Sequence, residues 1–139
     1  MASRIVNPAE LMKPSGFNHG ILAPAGGRML FVAGQAPTDE SGAVVEGDFV
    51  RQFSQALGNV ARVVAAAGGT PADVGRLTIY VTDLTEYHAC LEPLGRAYRE
   101  IFDRHFPAVA MVQVAGLVDE GARVEIEATA VIPVDRAGE

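Results

Sequence analysis

The sequence predicts a single α+β domain in which a mixed sheet of five to six strands carries two helices on one face. Three observations predict it. The stretch "ARVEIEATAVIP", Ala122 to Pro133, alternates strictly, setting Val124, Ile126, Ala128, Ala130 and Ile132 against Glu125, Glu127, Thr129 and Val131. That is the period of a strand with one buried side. Phe49, Phe53, Ala56, Leu57, Val60, Val63, Val64 and Ala67 instead recur at helical spacing. Finally, the segments follow one another as β-β-α-β-α-β-β, and two helices suffice to cover one face of such a sheet but not both.

Each element has a local reason. "FNHGILA" and "RMLFVAGQ" are short apolar runs joined by "PAGG", which reads as a hairpin with a glycine loop. "PTDESGAVVEGD" is a polar, turn-rich connection. Asp48 is placed to cap the first helix and Gly68-Gly69 to stop it. "TPADV" forms a turn into the strand "RLTIYVTD", with Leu77, Ile79 and Val81 on one side and Thr78, Tyr80 and Thr82 on the other. A second helix is expected from about Glu86 to His105, with Tyr87, Leu91, Leu94, Tyr98, Ile101 and Phe102 on one stripe and Pro93 near its start. "AVAMVQVAGL" and the alternating C-terminal stretch are two further strands joined by "VDEG", and the polar tail "VDRAGE" is expected to fray. The ordered core is expected to run from about residue 16 to 133 of the one domain, 1–139.

Composition narrows the function classes. With 139 residues and 49% hydrophobic content, the chain is long and apolar enough for a packed core. No 18-residue apolar run suggests a membrane span, and the N-terminus lacks the apolar core of an export signal. The lone cysteine, Cys90, suits a reducing compartment, so a cytoplasmic location is expected. A net charge of −6 opposes binding to nucleic acid, and Lys13 is the only lysine, so a small-molecule ligand is expected. Val112, Val114, Val131 and the threonines make the second sheet face too apolar for open water, which predicts that another subunit covers it.

"LFVAGQAPTDESGAVV", "QFSQALGNVARVVAAAGGTPADVGRLTIYVTDL", "FPAVAMVQVAGL" and "VEIEATAV" together resemble the RidA/YjgF family, in order, over about residues 16–133. The resemblance implies a chorismate-mutase-like fold assembled as a homotrimer with clefts between subunits. It also implies hydrolysis of reactive enamines or imines, releasing ammonia and a carbonyl product without a cofactor or metal.

The resemblance further implies which residues carry the site. The family's deaminating members hold the substrate carboxylate with an arginine on the strand after F-P-A; here that position is Val109, followed by Ala110 and Met111. A bidentate guanidinium contact is not replaced by shape alone, so the standard 2-imino acids are not the expected substrates. Arg28 and Arg123 are candidate replacement cations, against a plain surface role for each. Glu125 matches the family's proton-handling or water-positioning glutamate, a role that partial burial would favour by raising its pKa; the alternative is a structural carboxylate. Glu127 is assigned to an ion pair or to backbone amides. Phe17 is expected as an aromatic wall, Asn18 and His19 as polar contacts, and Gly34 of "AGQ" as a point of close backbone approach. His88 and His105 receive no role, and the histidines lack ligand-like spacing, so no metal is expected. Cys90 reads as a small buried apolar residue. Two other readings stand beside the hydrolase: a trimeric protein that binds a small metabolite without turnover, and an endoribonuclease, which the acidic composition disfavours.

Overall fold

The computed structural model describes residues 3–135; the tail expected to fray lies largely outside the described residues. Six strands form two separate sheets: β1 (Arg4–Val6) with β2 (Gly20–Leu22), and a mixed sheet of β3 (Arg28–Gln35), β4 (Val74–Val81), β5 (Ala108–Gln113) and β6 (Val124–Ile132) in the order β3-β6-β4-β5. The α+β class with helices on one face stands, but the strands do not form one five- to six-stranded sheet.

The proposed hairpin between "FNHGILA" and "RMLFVAGQ" is corrected. β2 pairs with β1, Ile5 opposite Ile21, while β3 pairs antiparallel with β6. The cause lies just before β2. Asn18 donates from its side chain to the Phe106 carbonyl (2.6 Å) and from its backbone to the Pro107 carbonyl (3.1 Å). These bonds hold the segment at the β5 edge, and β3 occupies the opposite edge.

Helix α1 (Phe49–Ala66) begins and ends as its sequence requires. Asp48 Oδ1 accepts from the Arg51 amide (2.9 Å). At the other end the Gly68 amide bonds to the Ala65 carbonyl and the Gly69 amide to the Val64 carbonyl, both at 3.0 Å, with Gly68 at φ 88°. This double bond pattern satisfies the orphan carbonyls and needs a left-handed residue that glycine supplies without a Cβ clash. Phe53, Leu57, Val60 and Val64 of α1 pack on Leu77, Ile79, Ile126 and Ala128 to form the core.

The expected second helix is two helices, α2 (Leu84–His88) and α3 (Leu91–Phe102). Proline explains the break. In one continuous helix the Pro93 ring would strike the Ala89 carbonyl and leave it without its donor. Restarting at Leu91 puts Pro93 in the first turn of α3, where a missing N–H is harmless. Cys90, half-buried at the junction, donates from its thiol to the Glu86 carbonyl (3.2 Å).

Alternation in β6 sorts the sheet into two faces. Val124, Ile126, Ala128, Ala130 and Ile132 are buried beneath the helices, and Glu125, Glu127, Thr129 and Val131 point to the other side. That second face also carries Met29 and Phe31 of β3, which are 61% and 76% exposed.

A candidate cleft and an acidic sheet face

Two places in the chain gather the residues singled out from the sequence, and they lie on opposite sides of the sheet. The first is a cleft of about 440 Å³ between α3 and the edge strand β5. Val109 and Met111 form part of its floor because they stand opposite Leu77 and Ile79 of β4 on the helix-covered side. Tyr98 closes one end, stacked on Phe106 (centroids 5.4 Å apart, planes 7° apart) with its hydroxyl donating to the His105 carbonyl at 2.5 Å. Burial holds the Tyr98 phenol neutral well above the ordinary tyrosine range. Ser15 and Gly16 contribute the loop wall.

The second place is the acidic patch of the open face. Glu125 is opposite Tyr80 and Glu127 is opposite Thr78 in the β4–β6 ladder. The Tyr80 phenol is pushed up, first by desolvation and then by Glu127, to which it is hydrogen-bonded, with a smaller effect from Glu125. The β3–β6 register slips between Val32 and Gln35. That bulge brings the bare Cα of Gly34 against the Glu125 side chain, so that a Cβ there would collide with the carboxylate. Gly34 therefore makes room for the chain's own glutamate, a relation that spacing in the sequence does not reveal.

The remaining expected site residues are dispersed. His19 is bonded through its ring Nε2 to the Met12 carbonyl (2.8 Å), and its amide donates to Asn7 Oδ1 (2.8 Å). Phe17 packs edge-on against the His19 ring at 5.3 Å. Both belong to the N-terminal segment, and His19 borders a separate pocket beside Gly75 and Thr129. Neither reaches the α3–β5 cleft, whose lining includes their neighbours Ser15 and Gly16 instead.

Neither expected replacement cation serves the cleft. Arg123 is committed to Glu86 of α2 (2.5 Å) and to the Gly47 carbonyl, locking α2 to the loop before α1. Arg28 starts β3, at the sheet edge opposite β5. The charged residue that does line the cleft is Arg99 of α3, which no motif in the sequence marks. Its signal was faint: Leu91, Gly95 and Arg99 follow at i, i+4 and i+8, one face of the helix. Among the described residues, no group of three or more His, Cys, Asp or Glu side chains is placed to hold a metal ion, and no helix is long and apolar enough to cross a membrane.

A sequence model of the family described as endoribonuclease L-PSP matches residues 11–132, nearly the whole of this fold. The chain belongs to this family, the RidA/YjgF family. A RidA relative from Capra hircus, named 2-iminobutanoate/2-iminopropanoate deaminase, is 33% identical over 133 residues, covering 94% of this chain and 91% of its own. Among solved RidA structures, YyfB from Yersinia pestis, described as a Rid-family protein of unknown function, superposes with a TM-score of 0.82 at 36% identity, over 95% of this chain and all of its own. TdcF from E. coli, solved with bound serine, superposes with a TM-score of 0.65 at 30% identity, over 92% of this chain and 98% of its own. The RidA fold is thus held in common with proteins of differing descriptions, and the side chains in the cleft must decide what this one does.

Proposed function

We propose that this protein is a cytoplasmic, cofactor-independent hydrolase of reactive enamines or imines that works as a homotrimer. The observation that carries the reading is the separation of the two half-sites. Glu125 and Gly34 lie on the open face, Val109 and Met111 on the helix side, so one protomer cannot bring them to a common substrate. Phe31 and Met29, exposed on the β3 part of the open face, support assembly, which would set the Glu125 of one copy against the cleft of the next.

In that arrangement the cleft holds the substrate and Glu125 orients a water at the C=N carbon. The water oxygen adds to the carbon of the protonated imine, the form an enamine reaches by protonation at carbon, as Glu125 takes a water proton, giving a neutral carbinolamine. Glu125 then returns that proton to nitrogen, and as the C–N bond breaks and ammonia leaves, the carbinol hydroxyl gives its proton to the Glu125 carboxylate and becomes the carbonyl. No redox partner or metal enters this balance. Val109 offers no cation next to the reacting carbon, so small 2-imino acids are expected to be poor substrates and bulkier imines better ones. Net charge −6 weighs against ribonuclease activity despite the family model's description.

The test is to generate 2-aminoacrylate, 2-iminobutanoate and aryl- or branched-chain imines in situ and follow ammonia release with and without the protein. Acceleration on the bulkier imines, exceeding that on 2-iminobutanoate, supports the proposal; robust turnover of 2-iminobutanoate would remove the substrate preference. No acceleration on any imine would leave a binding protein, the second reading, which the apolar cleft floor favours.

A further inference from the structure

The α3–β5 cleft has an apolar floor and one cation at its rim. Leu77, Ile79, Leu94, Val109 and Met111 supply the floor, and Arg99 is the charged residue among those lining it. Arg99 makes no side-chain hydrogen bond or ion pair among the described residues, in contrast to Arg96, which is held by Glu92 at 2.7 Å one face away. Arg99 is exposed, but its guanidinium does not extend away from the helix. It folds back along the helix over Gly95, where a Cβ would stand 3.1 Å from Nη1. Helical side chains lean toward the N-terminus, and the missing side chain at 95 lets this one lie along the cleft.

From this geometry we propose that the cleft takes a small carboxylate with an apolar body, and that Arg99, across the cleft from Val109, binds its carboxylate. The apolar body lies on the floor, and the anion meets a guanidinium whose planar donor fork fits two carboxylate oxygens. Because the cation stands on α3 and not on β5, the carboxylate it reads is separated from the floor by the width of the cleft. That geometry selects a longer acid than a 2-imino acid whose carboxylate adjoins the reacting carbon. The inference rests on the α3–β5 cleft being the small-molecule site, and it adds the ligand's charge and shape.

Binding of 4-phenylbutanoate and of its uncharged analogue 4-phenylbutan-1-ol to the intact protein, measured by titration calorimetry, tests it independently of turnover. The carboxylate is expected to bind at least about tenfold tighter than the alcohol. That ratio should fall to near one in Arg99→Met, which keeps the apolar stem, and persist in Arg96→Met. Melting temperatures confirm that both variants fold, as expected for exposed positions. A wild-type ratio near one, or an unchanged ratio in Arg99→Met, overturns the proposal. Failure to hydrolyse any imine would count against the hydrolase while leaving this ratio to be read, so the two claims fail separately.

Discussion

The Cα of Gly34 lies where it does because the carboxylate of Glu125 fills the volume a side chain would need. A bulge in β3 and the alternation of β6 bring the two together on the open sheet face. Gly34→Ala is therefore expected to displace a flexible carboxylate and not the backbone, costing about 1 kcal/mol or less of stability. Melting should move by no more than about 4 °C, while the proposed imine hydrolysis falls at least tenfold because the group proposed to orient the water is moved. Paired melting and rate measurements check this; a normal rate would separate Gly34 from the chemistry.

Glu125→Gln keeps the volume and removes the proposed base. The expected loss in kcat is on the order of 10²–10⁴, with assembly and melting retained. Steady-state kinetics on the best imine substrate, with sedimentation as the control, decide it. An active Glu125→Gln protein would return Glu125 to a structural role beside Tyr80 and Glu127.

Phe31 is 76% exposed on the open face, opposite Thr129 in the ladder. Phe31→Asp puts a charge where the proposed subunit contact lies, and an unpaired charge excluded from water is strongly unfavourable. Sedimentation velocity at micromolar concentration should show the wild type as a trimer and this variant as a folded smaller species. A wild-type monomer would contradict the assembly.

Burial raises the Tyr98 phenol, so the folded protein keeps it neutral where the unfolded chain would ionise it. The sign follows: this contribution to stability is fully present below the ordinary tyrosine pKa of about 10 and is lost as pH rises above it. Phenolate absorbance on alkaline titration should show Tyr98 ionising only with unfolding. Tyr98→Phe removes that delayed step and the bond to the His105 carbonyl, lowering stability by about 1 kcal/mol.

The family, the α+β class and most element cores were legible in the sequence because their signals are local. Period two in residues 124–132 sorted β6 into a buried and an open face residue by residue, and period 3.6 with Asp48 and Gly68-Gly69 delimited α1. Pro93 announced a disturbance near the start of the second helix, though the break at Ala89–Cys90 required knowing which turn it occupied.

Pairing and placement were not legible. β2 has three residues and no pattern that prefers β3 over β1; two hydrogen bonds from Asn18 to the far edge of the sheet decide it. The candidate site divided for the same reason: Val109 and Glu125 belong to strands on either side of β4, and opposite pleats of the sheet face them apart. Arg123 looked available until α2 brought Glu86 to it, and Arg99 looked like any surface arginine until α3 lay beside β5. By itself the sequence determined the buried faces of α1 and β6 and the family they build, since backbone periodicity and turn chemistry act between near neighbours. Only the tertiary structure decided which cation lines the apolar cleft and that Glu125 stands on the other side of the sheet from it, because those relations depend on long-range packing that no local spacing encodes.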